Sequence, residues 1–132
     1  MKTKIDAILD SVKTIAVNGI SSRPERPSHH VAEYLKNAGY RIFPVNPALT
    51  EVLGEKCWPS LESIPEPIDL VDVFRRSEDV LPIAEEALRK GVRYFWMQEG
   101  VVNEAAKALL EANDVGVVMD RCMLKELSAR GR

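Results

Sequence analysis

Two cysteines, Cys57 and Cys122, are too few for a disulfide framework, and neither belongs to a CxxC pair. The only histidines, His29 and His30, are adjacent and complete no usual zinc set, so no metal is expected. No run approaches the ~20 apolar residues of a membrane span. The opening Met1-Lys2-Thr3-Lys4-Ile5-Asp6 has no apolar signal core. The expectation is a cytoplasmic protein with reduced thiols and no membrane partner. Lys and Arg number 18 against 20 Asp and Glu, a net charge of -2, so no basic field points to nucleic acid. Internal repeats, low-complexity tracts and interdomain linkers are also missing.

The 132 residues suit one domain, expected to run over 1–132. A chain of this length buries roughly two-thirds of its unfolded surface and needs no staple to fold. Positive charge gathers locally, at Arg23/Arg26 and Arg75/Arg76. That pattern fits a small anionic ligand better than a polymer.

The apolar period switches along the chain. Ile5, Ile8, Leu9 and Val12 predict a leading helix over 4–12. Residues 14–18 read as a buried strand, followed by a polar loop from Gly19 to Pro27. Ser28 is the expected N-cap of a helix running through Val31, Leu35 and Ala38, with Gly39 as its C′ residue. Residues 41–45 form a second strand ending at Asn46-Pro47. Residues 48–67 read as loop and turns, with a small strand near Lys56-Cys57. Strands follow at 69–74, 93–97 and 115–119. Helices are expected at 78–90, stopped by Gly91, at 102–113, with Asn103 or the preceding loop as its cap, and at 123–129. Alternation of this kind predicts a doubly wound, Rossmann-like α/β fold: a mainly parallel sheet of about five strands with helices on both faces.

In such a sheet the strands end at one edge, and ligands bind in the crevice there. The segments following the strands are Gly19-Ile20-Ser21-Ser22-Arg23, Asn46-Pro47, Arg75-Arg76-Ser77, Gln98-Glu99-Gly100 and Asp120-Arg121-Cys122. The first is the best phosphate candidate: Gly19 permits a sharp turn, and the helix start near Ser28 favours an anion. It equally reads as an ordinary strand-to-helix loop, for the GxGxxG fingerprint is absent. Asn46 stands where NAD-binding sheets place an acid for the ribose. A neutral residue there tolerates an extra ribose phosphate, as in coenzyme A (CoA), without excluding NADP. Arg75 and Arg76 suit phosphate oxygens, or form a solvated charge pair beside Glu78 and Asp79. His29 and His30 read as a solvated first helical turn rather than phosphate donors. Trp96 and Met97 read as core. Cys122, beside Arg121, is either a ligand-facing thiol able to form a mixed disulfide with a thiol cofactor or an inert buried cysteine. Cys57 is assigned no role.

The ordered set Ile15-Ala16-Val17-Asn18-Gly19-Ile20-Ser21, Arg26-Pro27-Ser28, Tyr34-Leu35 with Gly39-Tyr40, and Pro44-Val45-Asn46-Pro47 resembles the small CoA-binding domain proteins. Gly54-Glu55-Lys56-Cys57, Val71-Asp72-Val73-Phe74-Arg75-Arg76, Trp96-Met97-Gln98-Glu99-Gly100-Val101 and Met119-Asp120-Arg121-Cys122 continue the likeness, which covers about residues 12–125. These proteins are relatives of the N-terminal domain of the succinyl-CoA synthetase α-subunit. The resemblance implies CoA laid across the C-terminal edge of the sheet. Gly19, Ile20 and Ser21 would contact the pyrophosphate region, and Arg26 and Ser28 would add phosphate contacts. Asn46 and Pro47 would flank the adenosine part. Phe74 and Arg75 would line the crevice, and Gln98 and Gly100 the pantetheine side. Cys122 matches the family's cysteine after the last strand. Asn18 departs from the pattern, in which an apolar residue is more usual before the glycine.

The expected function is that of a module binding CoA or an acyl-CoA, with no catalytic residues and no synthetase activity carried over. The alternatives are an NADP-dependent oxidoreductase and a ligand-free interaction domain on the same fold. Of the residues eligible for catalysis by type, namely His29, His30, Glu99, Asp120 and Cys122, none forms a recognisable nucleophile–base set.

Overall fold

The computed structural model describes residues 2–132; Met1, part of the expected domain, lies outside them. Thr3 opens α1 (Lys4–Ser11) with a capping box: its hydroxyl accepts the Asp6 N–H at 3.1 Å, and the Asp6 carboxylate accepts the Thr3 N–H at 2.8 Å. The chain continues through β1 (Thr14–Asn18), α2 (Pro27–Asn37) and β2 (Arg41–Val45). Gly39 follows the end of α2 with φ +103°, the left-handed C′ geometry that a glycine adopts freely. A small hairpin of β3 (Glu51–Val52) and β4 (Glu55–Lys56) turns at Leu53 and Gly54, both with positive φ. It replaces the lone strand expected near Lys56-Cys57.

Next come β5 (Leu70–Val73), a 3-10 turn at Ser77–Asp79, and α3 (Val80–Lys90), ended by Gly91. The chain closes with β6 (Tyr94–Met97), α4 (Glu104–Glu111), β7 (Gly116–Val118) and α5 (Met123–Ala129). Asp69 lies one residue before β5, where its carboxylate accepts the backbone N–H groups of Lys13 and Thr14, at 2.8 and 3.2 Å. Helix α4 starts two residues later than expected, where the Asn103 side chain caps it by accepting the Ala106 N–H.

The five main strands form one parallel sheet in the order β2-β1-β5-β6-β7. From β1 the chain steps outward to β2, then returns to the other side of β1 for β5. The switch point therefore lies between β1 and β5. Because side chains alternate along a strand, the sheet feeds two cores. One face packs Ala16, Val71, Val73, Phe95 and Met97 against α3 and α4, with Leu61, Ile64 and Ile68 extending the cover. The other packs Ile15, Val17, Leu70 and Trp96 against α1, α2 and α5. Trp96 and Met97 are core residues, as expected, each fully buried on its own face.

Candidate functional site

At the C-terminal edge a cleft of about 800 Å³ opens across the switch point. Gly19, Ile20, Ser21, Arg26, Ser28, Asn46, Phe74, Arg75, Gln98 and Cys122 line it. Two expected residues do not. Pro47 faces a smaller hollow of about 350 Å³, lined also by Asn18, Val45 and Arg75. Gly100 lies outside the cleft wall, and its N–H donates to Asp120 Oδ1 at 2.7 Å.

The loop from Gly19 to α2 is stitched by its own hydroxyls. Ser28 is not the N-cap: Arg26 occupies that position and Pro27 opens the helix. A proline's fixed φ and missing N–H suit the first helical position, which displaces the boundary by two residues. Ser28 Oγ reaches back to accept the Ser21 N–H at 2.9 Å, and Ser21 Oγ accepts the Arg23 N–H at 3.1 Å. Each hydroxyl keeps its own hydrogen for a further acceptor. The first-turn N–H groups of α2 have no acceptor within the helix and face the same end. Among the described residues neither Arg23 nor Arg26 has a salt-bridge partner, so both leave their charge at the cleft.

Asn46 ties the end of β2 to this loop. Its Nδ2 donates to the Ile20 carbonyl and its Oδ1 accepts the Ala48 N–H, both at 2.8 Å. Both arginines after β5 line the cleft, but they differ in partner. Arg76 pairs with Asp79 at 3.0 Å and Glu78 at 3.6 Å on the surface, as the solvated reading expects. Arg75 turns back, and its Nε donates to Asn18 Oδ1 at 3.1 Å.

Gln98 is 4% exposed, and its Oε1 accepts the Met123 N–H at 3.2 Å, which joins the end of β6 to the start of α5. Beside it, Glu99 is paired with Lys125 at 2.9 Å. Cys122 is half-buried at the N-cap of α5, whereas Cys57 is buried and burial pushes its thiol pKa up. Among the described residues no group of three His, Cys, Asp or Glu side chains could hold a metal ion. No helix there is long and apolar enough to cross a membrane.

His29 corrects the solvated reading of the histidine pair. It is 8% exposed with an unpartnered Nδ1, while His30 is exposed. Successive helical residues differ by about 100° in direction, so adjacent histidines need not share an environment. Asp72, to which residue type and spacing assign no role, is fully buried with neither oxygen hydrogen-bonded. An acid inside the apolar run 70–73 was the available signal. Leu49 and Val31 add apolar surface to the cleft wall. Val31 was legible as the residue one helical turn beyond Ser28, whereas Leu49 lies in a segment without a periodic pattern.

The fold and cleft define a Rossmann-like α/β domain with its ligand crevice at the switch point of a parallel sheet. The chain belongs to the CoA-binding domain family, whose model matches residues 13–128. It is 48% identical over 122 residues to the uncharacterized protein YneT of Bacillus subtilis, covering 92% of this chain and 90% of that protein. It is also homologous to the CoA-binding domain of ADP-forming acetyl-CoA synthetases. Acetate–CoA ligase (ADP-forming) II of Archaeoglobus fulgidus is 31% identical over 83 residues, covering 61% of this chain and 12% of the ligase. Among solved structures, a Pyrococcus horikoshii protein matches with TM-score 0.92 and 38% identity, covering 95% of this chain and 88% of that one. A Thermus thermophilus protein matches with TM-score 0.91 and 36% identity, covering 96% of both chains.

Proposed function

We propose that this protein binds CoA or an acyl-CoA across the C-terminal edge of its sheet, as a cytoplasmic binding module and not as an enzyme. The observation that carries the reading is the chemistry of the cleft mouth. Arg23, Arg26 and Arg75 converge on a hydroxyl-lined glycine loop, while the end of β2 presents Asn46 and no carboxylate. Cations and loop hydroxyls suit a pyrophosphate. A neutral side chain beside the ribose tolerates the 3′-phosphate that distinguishes CoA, where an acid would repel it.

On this reading Gly19, Ile20 and Ser21 follow the pyrophosphate, and Arg26 and Ser28 add phosphate contacts. Ile20 is fully buried and its carbonyl accepts the Asn46 Nδ2–H, so its contribution is to hold the course of the loop. Asn46 and Pro47 flank the adenosine, the first as a brace for the loop and the second from the neighbouring hollow. Phe74 and Arg75 form the crossing point. Gln98, Gly100 and Cys122 lie toward the pantetheine end. Family membership supports the ligand class, and the cleft supports where it lies.

The test is isothermal titration of the reduced protein with CoA, with NADP and NAD as controls. Saturable binding of CoA alone, at micromolar affinity or better, is the expected result. Binding of NADP instead would move the oxidoreductase reading ahead. Binding of none of the three would favour an interaction domain.

A further inference from the structure

Asn18 ends β1 as a polar residue in a buried strand, and the backbone runs straight through it. Asn18 is paired with Val45 on one side and Val73 on the other. Its carbonyl accepts the Phe74 N–H at 2.8 Å, and the next N–H, of Gly19, donates to Val45 at 3.0 Å. The Asn18 side chain is 4% exposed, and a polar group so buried needs a partner. That partner is the Nε of Arg75, at 3.1 Å.

Arg75 lies against the bare face of Gly19: a β-carbon there would stand 3.0 Å from its Nε. The guanidinium is thus held at the switch point between β1 and β5, where it walls both the main cleft and the smaller hollow. Asp79 lines both as well, but pairs with Arg76. Among the described residues, no acceptor takes the two Nη groups of Arg75. A guanidinium is planar, so a bond at Nε fixes its plane and leaves the two Nη groups as a matched pair of donors. Such a pair fits two oxygens of one phosphate, which a lysine ammonium cannot match.

We infer that Asn18 is a positioning residue, which through Oδ1 sets the Arg75 guanidinium for two-point contact with a phosphate group of the ligand. The inference rests on the CoA reading and adds to it a residue that orients the phosphate-binding group. CoA offers phosphate at two places, the pyrophosphate and the ribose 3′-phosphate. Asn18 touches neither; its effect passes entirely through Arg75.

The experiment titrates CoA and 3′-dephospho-CoA into wild type, Asn18→Leu, Arg75→Lys and the double variant. Leucine keeps the branched shape and accepts no hydrogen bond, and lysine keeps the charge without the fork. Asn18→Leu is expected to weaken binding about tenfold alone and to change nothing further in the Arg75→Lys background. Loss with both ligands supports contact at the pyrophosphate; loss with CoA alone supports contact at the 3′-phosphate. An Asn18→Leu protein that binds both ligands like wild type overturns the inference, as do losses that add in the double variant. In the ligand-free protein, the Arg75 Nε–H resonance is expected to exchange slowly in wild type and to lose that protection in Asn18→Leu. Unchanged exchange also overturns the positioning role. Asn18→Ala supplies the same comparison if leucine does not pack. A wild type that binds neither ligand defeats the CoA reading itself, a result distinct from loss of the Asn18 effect.

Discussion

Gly19 and Phe74 approach so closely that a β-carbon on the glycine would lie 2.2 Å from the Phe74 carbonyl oxygen. That contact joins the loop after β1 to the loop after β5 at the switch point. Gly19 also has φ +94°, a conformation that L side chains rarely adopt. Gly19→Ala combines backbone strain with a clash against main chain that cannot swing away. It is expected to destabilise the protein by roughly 2–4 kcal/mol and to weaken CoA binding. Urea denaturation followed by titration checks both, and wild-type stability would mean that the two loops can separate at little cost.

Ser28 acts on the same loop from the helix side. Ser28→Ala deprives the Ser21 N–H of its acceptor, at an expected cost of about 1 kcal/mol. The larger effect is expected in the loop's order, read as faster amide exchange at Ser21. Were the hydroxyl an N-cap instead, protection would fall first within α2.

Arg75→Ala removes the guanidinium from the cleft. Loss of a charge-assisted hydrogen bond predicts CoA binding weaker by about 1–3 kcal/mol. Unchanged affinity would take Arg75 out of the binding site. Arg76→Ala is the companion comparison and is expected to have the smaller effect, because Arg76, though it lines the same cleft, is already engaged with Asp79 and Glu78.

Asp72 predicts a pH dependence. Full burial without a hydrogen bond pushes its carboxyl pKa well above the ordinary 3.8. Below that ordinary value both folded and unfolded chains hold the proton, and the folded state is favoured most. As pH rises past it the unfolded chain ionises first, so stability falls until the folded carboxyl also titrates. Asp72→Asn cannot ionise and is expected to flatten this slope. At pH 8 the variant is expected to melt at a higher temperature than wild type, with the difference shrinking as pH falls. An identical slope in the variant would assign the pH dependence to other groups.

The two thiols are expected to differ in reactivity. Cys122 lines the cleft, whereas Cys57 is buried with its thiol pKa raised. Exchange with CoA disulfide should attach CoA to Cys122 and release one CoA thiol. Cys122→Ser should leave reversible CoA binding intact and abolish the adduct seen by mass spectrometry. An adduct that persists in the variant would place the reactive thiol elsewhere.

Much of the fold was legible because its signals are local. Apolar runs such as 14–18 and 41–45 mark strands wherever they stand in space, and α5 spans the expected 123–129. Boundaries failed where a side chain did something its neighbours in sequence do not reveal. Ser28 read as a cap, because serine before an apolar stripe usually is one, but its hydroxyl bonds a loop seven residues back. His29 read as solvated with His30, because only the docked helix decides which of two adjacent residues turns inward. The cleft was legible mostly as loops after strands; Pro47 turns to the neighbouring hollow and the Gly100 N–H turns to Asp120, directions that residue type does not reveal.

From the sequence alone came the alternation of strands and helices, the single glycine after β1, the neutral Asn46 and the ordered motifs of the family. Each depends on residue type and spacing, which the chain carries before it folds. The tertiary structure alone decided the strand order, the switch point between β1 and β5, the Asn18–Arg75 contact and the orphaned carboxyl of Asp72. Those depend on residues 57 positions apart in the chain, like Asn18 and Arg75, being brought within hydrogen-bonding distance. No local pattern encodes such a meeting, because packing of the whole sheet sets it.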